Sequence, residues 1–195
     1  MAFSPTVEAF SVSHAQILAE GEDFLTAIAS AYNQDTDIYG VKEASIEPDM
    51  DSYDNEGDDV ILSTWDWLNK AEVTVQAGYV SFPLIAALTG QAISSGTVGG
   101  KEVFGLDLWH EDSLSIPPRP MIIKMPSKDR DGNPADFVIG LYKVAFKPIQ
   151  FDGPVYKDGL KINYDGSALY SSVDENGQPF ADGKKRVGRL LSIQK

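Results

Sequence analysis

The sequence predicts a mainly β fold, an antiparallel β-sandwich or barrel carrying one or two short α-helices. Three observations carry that prediction. Residues 72–79 alternate strictly, with Val73, Val75, Ala77 and Tyr79 set against Glu72, Thr74, Gln76 and Gly78, the signature of a strand with one dry and one wet face. The second half is rich in β-branched and aromatic residues, as in DFVIGLYKVAFKPIQF and LKINYDGSALYSSV. Turn dipeptides such as Asp131-Gly132 and Asn176-Gly177 separate these apolar runs.

The elements follow in order. Ser13 precedes HAQILAE, and Phe24, Leu25, Ile28 and Tyr32 recur at helical spacing behind Glu22 and Asp23, so the first region reads as two short helical pieces broken at Gly21. From Tyr39 the period becomes two. VILSTWDWLN is a strand with Ile61, Ser63, Trp65 and Trp67 on one face, and Asn69-Lys70 reads as a tight turn into the strand at Val73. SFPLIAALTG is a short helix, capped by Ser81, opened by Pro83 and closed by Gly90. Residues 91–120 hold one or two short strands around VFGLDLW. RPMIIKMP and DFVIGLYKVAFKPIQF are strands joined through Asp131-Gly132, and LKINYDGSALYSSV is another, with a bulge or bend at Asp165-Gly166. KRVGRLLSIQ closes the chain as a strand.

No repeat or low-complexity linker interrupts the 195 residues, so residues 1–195 read as a single domain. An apolar fraction of 43% with 23% charged residues is that of a folded globular chain. The net charge of -13 argues against tightly bound nucleic acid. Without cysteine there are no disulfides, thiolate metal sites or cysteine nucleophiles. The opening MAFSPTVEAF has no basic segment followed by an apolar run, so no secretory signal is expected, and no stretch reaches membrane-spanning length.

Negative charge is concentrated between Asp35 and Asp59, where ten acids are opposed by Lys42 alone. Such density stays solvated unless a cation or basic partner neutralises it, and residues 48–59 therefore read as a long acidic inter-strand loop. The other end of the chain is basic, with Lys184, Lys185, Arg186, Arg189 and Lys195 following Asp182. That terminal strand, residues 184–195, is an edge strand blunted by positive charge or a docking strip for a neighbour's acidic loop.

Catalytic constellations are thin. His14 and His110 are the two histidines, and His110 stands beside Glu111 and Asp112. HExxH, Gly-x-Ser-x-Gly and phosphate-cradling Gly-Lys-Ser/Thr motifs are all missing. An enzyme is not expected, nor is a cofactor. DMDSYDNEGDD has oxygen ligands for calcium but lacks EF-hand spacing, since Tyr53 holds the fifth place after Asp49 and no Glu closes the loop. Trp65, Trp67 and Tyr79 form a sugar platform or, more commonly at strand spacing, core or subunit-interface residues. The competing class is thus a calcium- or carbohydrate-binding β-sandwich of adhesin type.

YGVKEASIEPD, the Gly/Asp-rich acidic stretch and DDVILSTWDWLNKAEVTVQAGYVSFPLIAALTG together resemble the major tail (tail tube) proteins of long non-contractile-tailed bacteriophages, those of actinobacteria above all. The likeness is strong over about a quarter of the chain. It implies a virion subunit, assembled in the host cytoplasm, whose homohexameric rings stack head-to-tail into a tube. Viral DNA passes through that tube in transit without being held, and other tail proteins sit at its ends. No membrane partner is implied. Carried onto this chain, Val41–Glu47 and Val60–Val80 would build the inner barrel, and Asp49, Asp51, Asp54, Glu56, Asp58 and Asp59 would form the inter-ring loop. The helix at Phe82–Thr89 would pack on the sandwich or between neighbours. From the alternation, Glu72, Thr74 and Gln76 are candidates for the lumenal side, and Trp65, Trp67, Arg186 and Arg189 for subunit interfaces.

Overall fold

A computed structural model describes residues 7–9, 12–19, 21–29, 33, 35–57, 60–107, 116–129, 131–155 and 159–195, with the backbone alone at 7–9, 53–57, 60–67, 152–155 and 159–160. The chain is mainly β and antiparallel, with two short helices, in a sandwich- or barrel-like arrangement. In order the strands are β1 (Val7–Ala9), β2 (His14–Ile17), β3 (Asp37–Ile38), β4 (Val41–Gly57), β5 (Val60–Ala77), β6 (Ser94–Val98) and β7 (Lys101–Gly105). After these come β8 (Arg119–Asp129), β9 (Pro134–Phe146), β10 (Gln150–Val155), β11 (Gly159–Ala168) and β12 (Gly188–Gln194). Helix α1 (Phe24–Ala29) follows β2, and α2 (Phe82–Thr89) follows β5.

One sheet runs β3-β2-β8-β9-β11-β5-β4 and folds over on itself at the β9–β11 junction. There β11 changes partner along one edge: residues near Ile162 pair with β10, whereas Gly166–Ala168 pair with Val144–Phe146 of β9. Gly166 sits at this corner because a Cβ would press against Val144 Cγ1 and the Ala145 carbonyl. Of the bulge or bend expected here, the bulge is absent, since β11 stays in register with β5 through it.

Two layers result, one of β4, β5, β11 and β10 and the other of β2, β8, β9 and β12. Between them lies the main core, with Val73, Val75, Ala77, Ile162 and Tyr164 facing Met121, Ile123, Leu141 and Val144. Helix α2 closes this core through Leu84, Ile85 and Leu88. A second cluster lies on the far side of β8 and β9, where α1 docks Phe24 beside Ile122, Val138 and Tyr142. The Phe24 ring lies directly over Gly140, where a side chain would collide with it, and stacks on Tyr142 at 5.5 Å between centroids.

Local signals explain the helix ends. Ser81 accepts from the Leu84 N–H and Gly90 adopts φ 70°, so α2 starts and stops where its sequence predicts. Asp23 accepts from the Thr26 N–H at 2.9 Å and caps α1. The Asp131-Gly132 turn is organised by Asp129, whose carboxylate accepts from the N–H groups of Asp131 and Asn133. At Asn176-Gly177 the Gly177 N–H donates to the Asp174 carbonyl and φ is 74°.

Three expectations fail. HAQI is the strand β2, not a helix: it is buried on both sides, between β3 and β8 within the sheet, so it shows no alternation to read. Asn69-Lys70 is not a turn, because β5 runs unbroken through it. The register instead shifts there, with Asp49 opposite Lys70 but Met50 opposite Leu68, so Asn69 is the extra residue of a β-bulge. Finally, residues 48–57 of the expected acidic loop are strand, paired with β5 to the end of the hairpin; Asp58 and Asp59 lie outside the described residues.

Candidate functional site

β4 pairs with β5 over its whole length, but β11 pairs with β5 only from Ala71 to Ala77. Beyond Ala71, β4 and β5 continue as a two-stranded ribbon from Asp49↔Lys70 to Gly57↔Val60. Nine residues of β4 at the usual strand rise make this ribbon about 30 Å long. Among the described residues, neither the ribbon nor the outer edge of β4 has another strand beside it. Its acids keep a paired backbone because alternation sends Glu43, Glu47, Asp49 and Asp51 to one face, opposite Ala44 and Ile46, which touch the core.

That face is continuous across three strands. In successive rows it carries Glu43, Gln76 and Asn163, then Ser45, Thr74 and Asp165, then Glu47, Glu72 and Ser167. The Gln76 amide donates to Asn163 Oδ1 at 3.2 Å. The lumenal candidates Glu72, Thr74 and Gln76 thus share one polar face opposite the core, with Thr74 exposed and the other two half-buried.

Glu72 stands directly opposite Glu47, a pairing of like charges that destabilises a sheet unless compensated. Compensation comes from Lys70, in direct contact with Glu72 on the same strand, and from Lys147, whose Nζ lies 3.1 Å from Glu72 Oε2. The Ser167 hydroxyl donates to the same carboxylate at 3.2 Å. The hydrogen bonds from Lys70 and then Lys147 pull the Glu72 carboxyl down to about 2.

The other candidates scatter. Arg189 does not offer itself to a neighbour: its guanidinium is 2.8 Å from buried Glu175 and lies over the Phe24 ring. Arg186 pairs with Asp182 at 2.8 Å and covers Phe180. Both are engaged within their own chain. Lys195 likewise joins Lys124 on buried Asp136, at 2.8 and 3.1 Å. Trp65 and Trp67 occupy ribbon positions paired with Tyr53 and Asp51; their side chains, and those of Asp54 and Glu56, lie outside the described residues. His14 Nε2 sits 3.2 Å from buried Asp37, and burial lowers its pKa; His110 is not among the described residues.

Among the described residues no group of three or more His, Asp or Glu side chains is placed to hold a metal ion. No helix among them is long and apolar enough to cross a membrane.

One surface was missed from sequence. Tyr39, Gly40, Tyr79, Val80, Ser81, Phe82 and Pro83 line a concavity of about 440 Å³ where β5 passes into α2. Tyr79 is 68% exposed and Phe82 41%, and the Tyr79 ring is seated on Gly40, whose φ of 63° and missing side chain both serve the contact. The alternation through 72–79 set Tyr79 on the dry face with Val73, Val75 and Ala77, but β5 ends at Ala77 and Tyr79 stands exposed beyond it. No protein-family model matches this chain, and a search of curated proteins found no similar sequence.

Proposed function

We propose that this chain is a structural virion subunit that assembles with copies of itself into stacked hexameric rings, forming a tail tube that conducts viral DNA. The observation that supports this reading best is the four-stranded layer β10-β11-β5-β4, dry on one face and polar on the other, and running out into an unpaired ribbon. A β4 edge of 17 residues is an aggregation hazard in a solitary domain. In a ring it is covered, since β4 of one copy meets the β10 side of the next and the layers join into a closed barrel. The polar face then lines the lumen. Its acids Glu43, Glu47, Glu72 and Asp165 repel phosphate, and Glu72 occupies Lys70 and Lys147, the cations that would otherwise bind it.

The subunit acts in the tail by self-association, with no catalytic step and with DNA only in passage. The test is negative-stain electron microscopy of the purified protein over a range of concentrations, with and without calcium. Rings or hollow tubes are expected. A sample that stays monomeric throughout, while its melting temperature rises strongly with calcium, would overturn the reading in favour of an adhesin-like binding module.

A further inference from the structure

We infer that Asn176 is a modification site: it deamidates without an enzyme, at a rate set by opening of the turn that holds it, and the product loosens helix α1. Of the six asparagines in the chain, only Asn176 precedes a glycine. It is exposed, and Gly177 puts no side chain in the way of its own backbone nitrogen. That nitrogen attacks Asn176 Cγ and forms a cyclic imide, while the carboxamide nitrogen leaves as ammonia. Water then opens the imide at one carbonyl or the other, leaving aspartate or isoaspartate at position 176. Nothing is oxidised or reduced, and water is the one co-reactant.

The fold holds both reacting groups back. The Gly177 N–H donates to the Asp174 carbonyl at 3.1 Å, so the attacking nitrogen is engaged within the turn. The Asp174 carboxylate accepts from the N–H groups of Asn176 at 2.9 Å and Gln178 at 2.8 Å, which fixes the backbone on either side. The Asn176 carboxamide donates to Asp23, the residue that caps α1. The turn must therefore open before the nitrogen can reach the carboxamide. The contact with Asp23 also gives the reaction its consequence, because it ties the turn to the start of α1. A carboxylate at position 176 removes the donor and adds its charge to those of Glu22, Asp23, Asp174 and Glu175, while Arg189 is already paired with Glu175. Helix α1 is 6 residues long and docks through Phe24 and Ala27, so little else retains it.

The test ages the purified protein in mildly alkaline buffer, native and in denaturing urea, and follows position 176 by peptide mass mapping. Aspartate and isoaspartate are expected there, forming about tenfold or more slowly in the native protein, the factor that one charge-assisted hydrogen bond supplies. Asp174→Ala should bring the native rate most of the way to the denatured one. Asn176→Asp installs the aspartate directly, and should lower the melting temperature by a few degrees and speed hydrogen exchange across Phe24–Ala29. Asp23→Asn keeps a capping side chain and should restore both readouts in that background. Equal rates in native and denatured protein would overturn the gating by the turn. An Asn176 that stays unmodified in denatured protein would overturn the site itself. An N176D chain with unchanged melting and exchange would sever the modification from α1.

Discussion

Glu72 shows how one carboxylate can hold a polar face together. It neutralises Lys70 and Lys147, accepts from Ser167 and faces Glu47, so its charge ties β5 to β11 and to the segment after β9. Its folded pKa of about 2 lies below the ordinary 4.5, so the stability it contributes is fully present above pH 4.5 and is lost as the pH falls towards 2. Because the side chain is 35% exposed, the whole effect stays within about 1 kcal/mol. Urea unfolding of Glu72→Gln should show that deficit at pH 7 and none near pH 2; a deficit that persists at low pH would mean packing, not charge, is at stake. Tyr164 makes the opposite case. Its hydroxyl is buried in the main core with no hydrogen-bond partner among the described residues, and burial pushes its pKa up to about 12. Tyr164→Phe removes an unsatisfied group and should be neutral or stabilising by up to about 1 kcal/mol in the same assay. A clear loss would reveal a bridging water.

At the scale of elements, the hairpin β4–β5 divides into two parts with different work. Its inner half carries Val73, Val75 and Ala77 into the core, and the outer residues whose side chains are described, 50–52 and 68–70, add none. Asp49 and Lys70 are directly opposite, so residues 50–69 can be replaced by an Asn-Gly turn without disturbing the inner register. The shortened chain should keep its melting temperature within a few degrees and fail to form rings or tubes by electron microscopy. Normal tubes from it would remove the ribbon from assembly. Excising Asp51–Glu56 alone is a poorer experiment, since it strips a partner from β5 and exposes a fresh edge. Helix α2 was legible in full because Ser81, Pro83 and Gly90 act locally, through capping and backbone angle. β2 was not, because a strand covered on both sides has no period, and its HAQI is strand only through its neighbours.

For the whole molecule, the β class and the polar face were readable from alternation and turn dipeptides, which report burial directly. The acidic segment was misread because ten acids suggest solvent, whereas a strand with one wet face accommodates Glu43, Glu47, Asp49 and Asp51 at alternate positions. The intrachain partners of Arg186 and Arg189 were not legible: Asp182 and Glu175 come from the segment before β12, and nothing local announces that Glu175 is buried. The concavity at Tyr79 joins a strand end to a helix start, and only the fold brings Tyr39 and Gly40 to it.

Asn69 is the smallest of these misreadings and has the widest reach. Were Asn69 paired across from Met50 instead of bulged out, the ribbon would keep the pairing offset of the inner hairpin, setting Trp67 against Ser52 and Trp65 against Asp54. With the bulge, Trp67 meets Asp51 and Trp65 meets Tyr53. Since a one-residue slip exchanges the two sides of a strand, this single asparagine works as a parity switch. It decides which positions of β4 share a face with the two tryptophan positions along the ribbon.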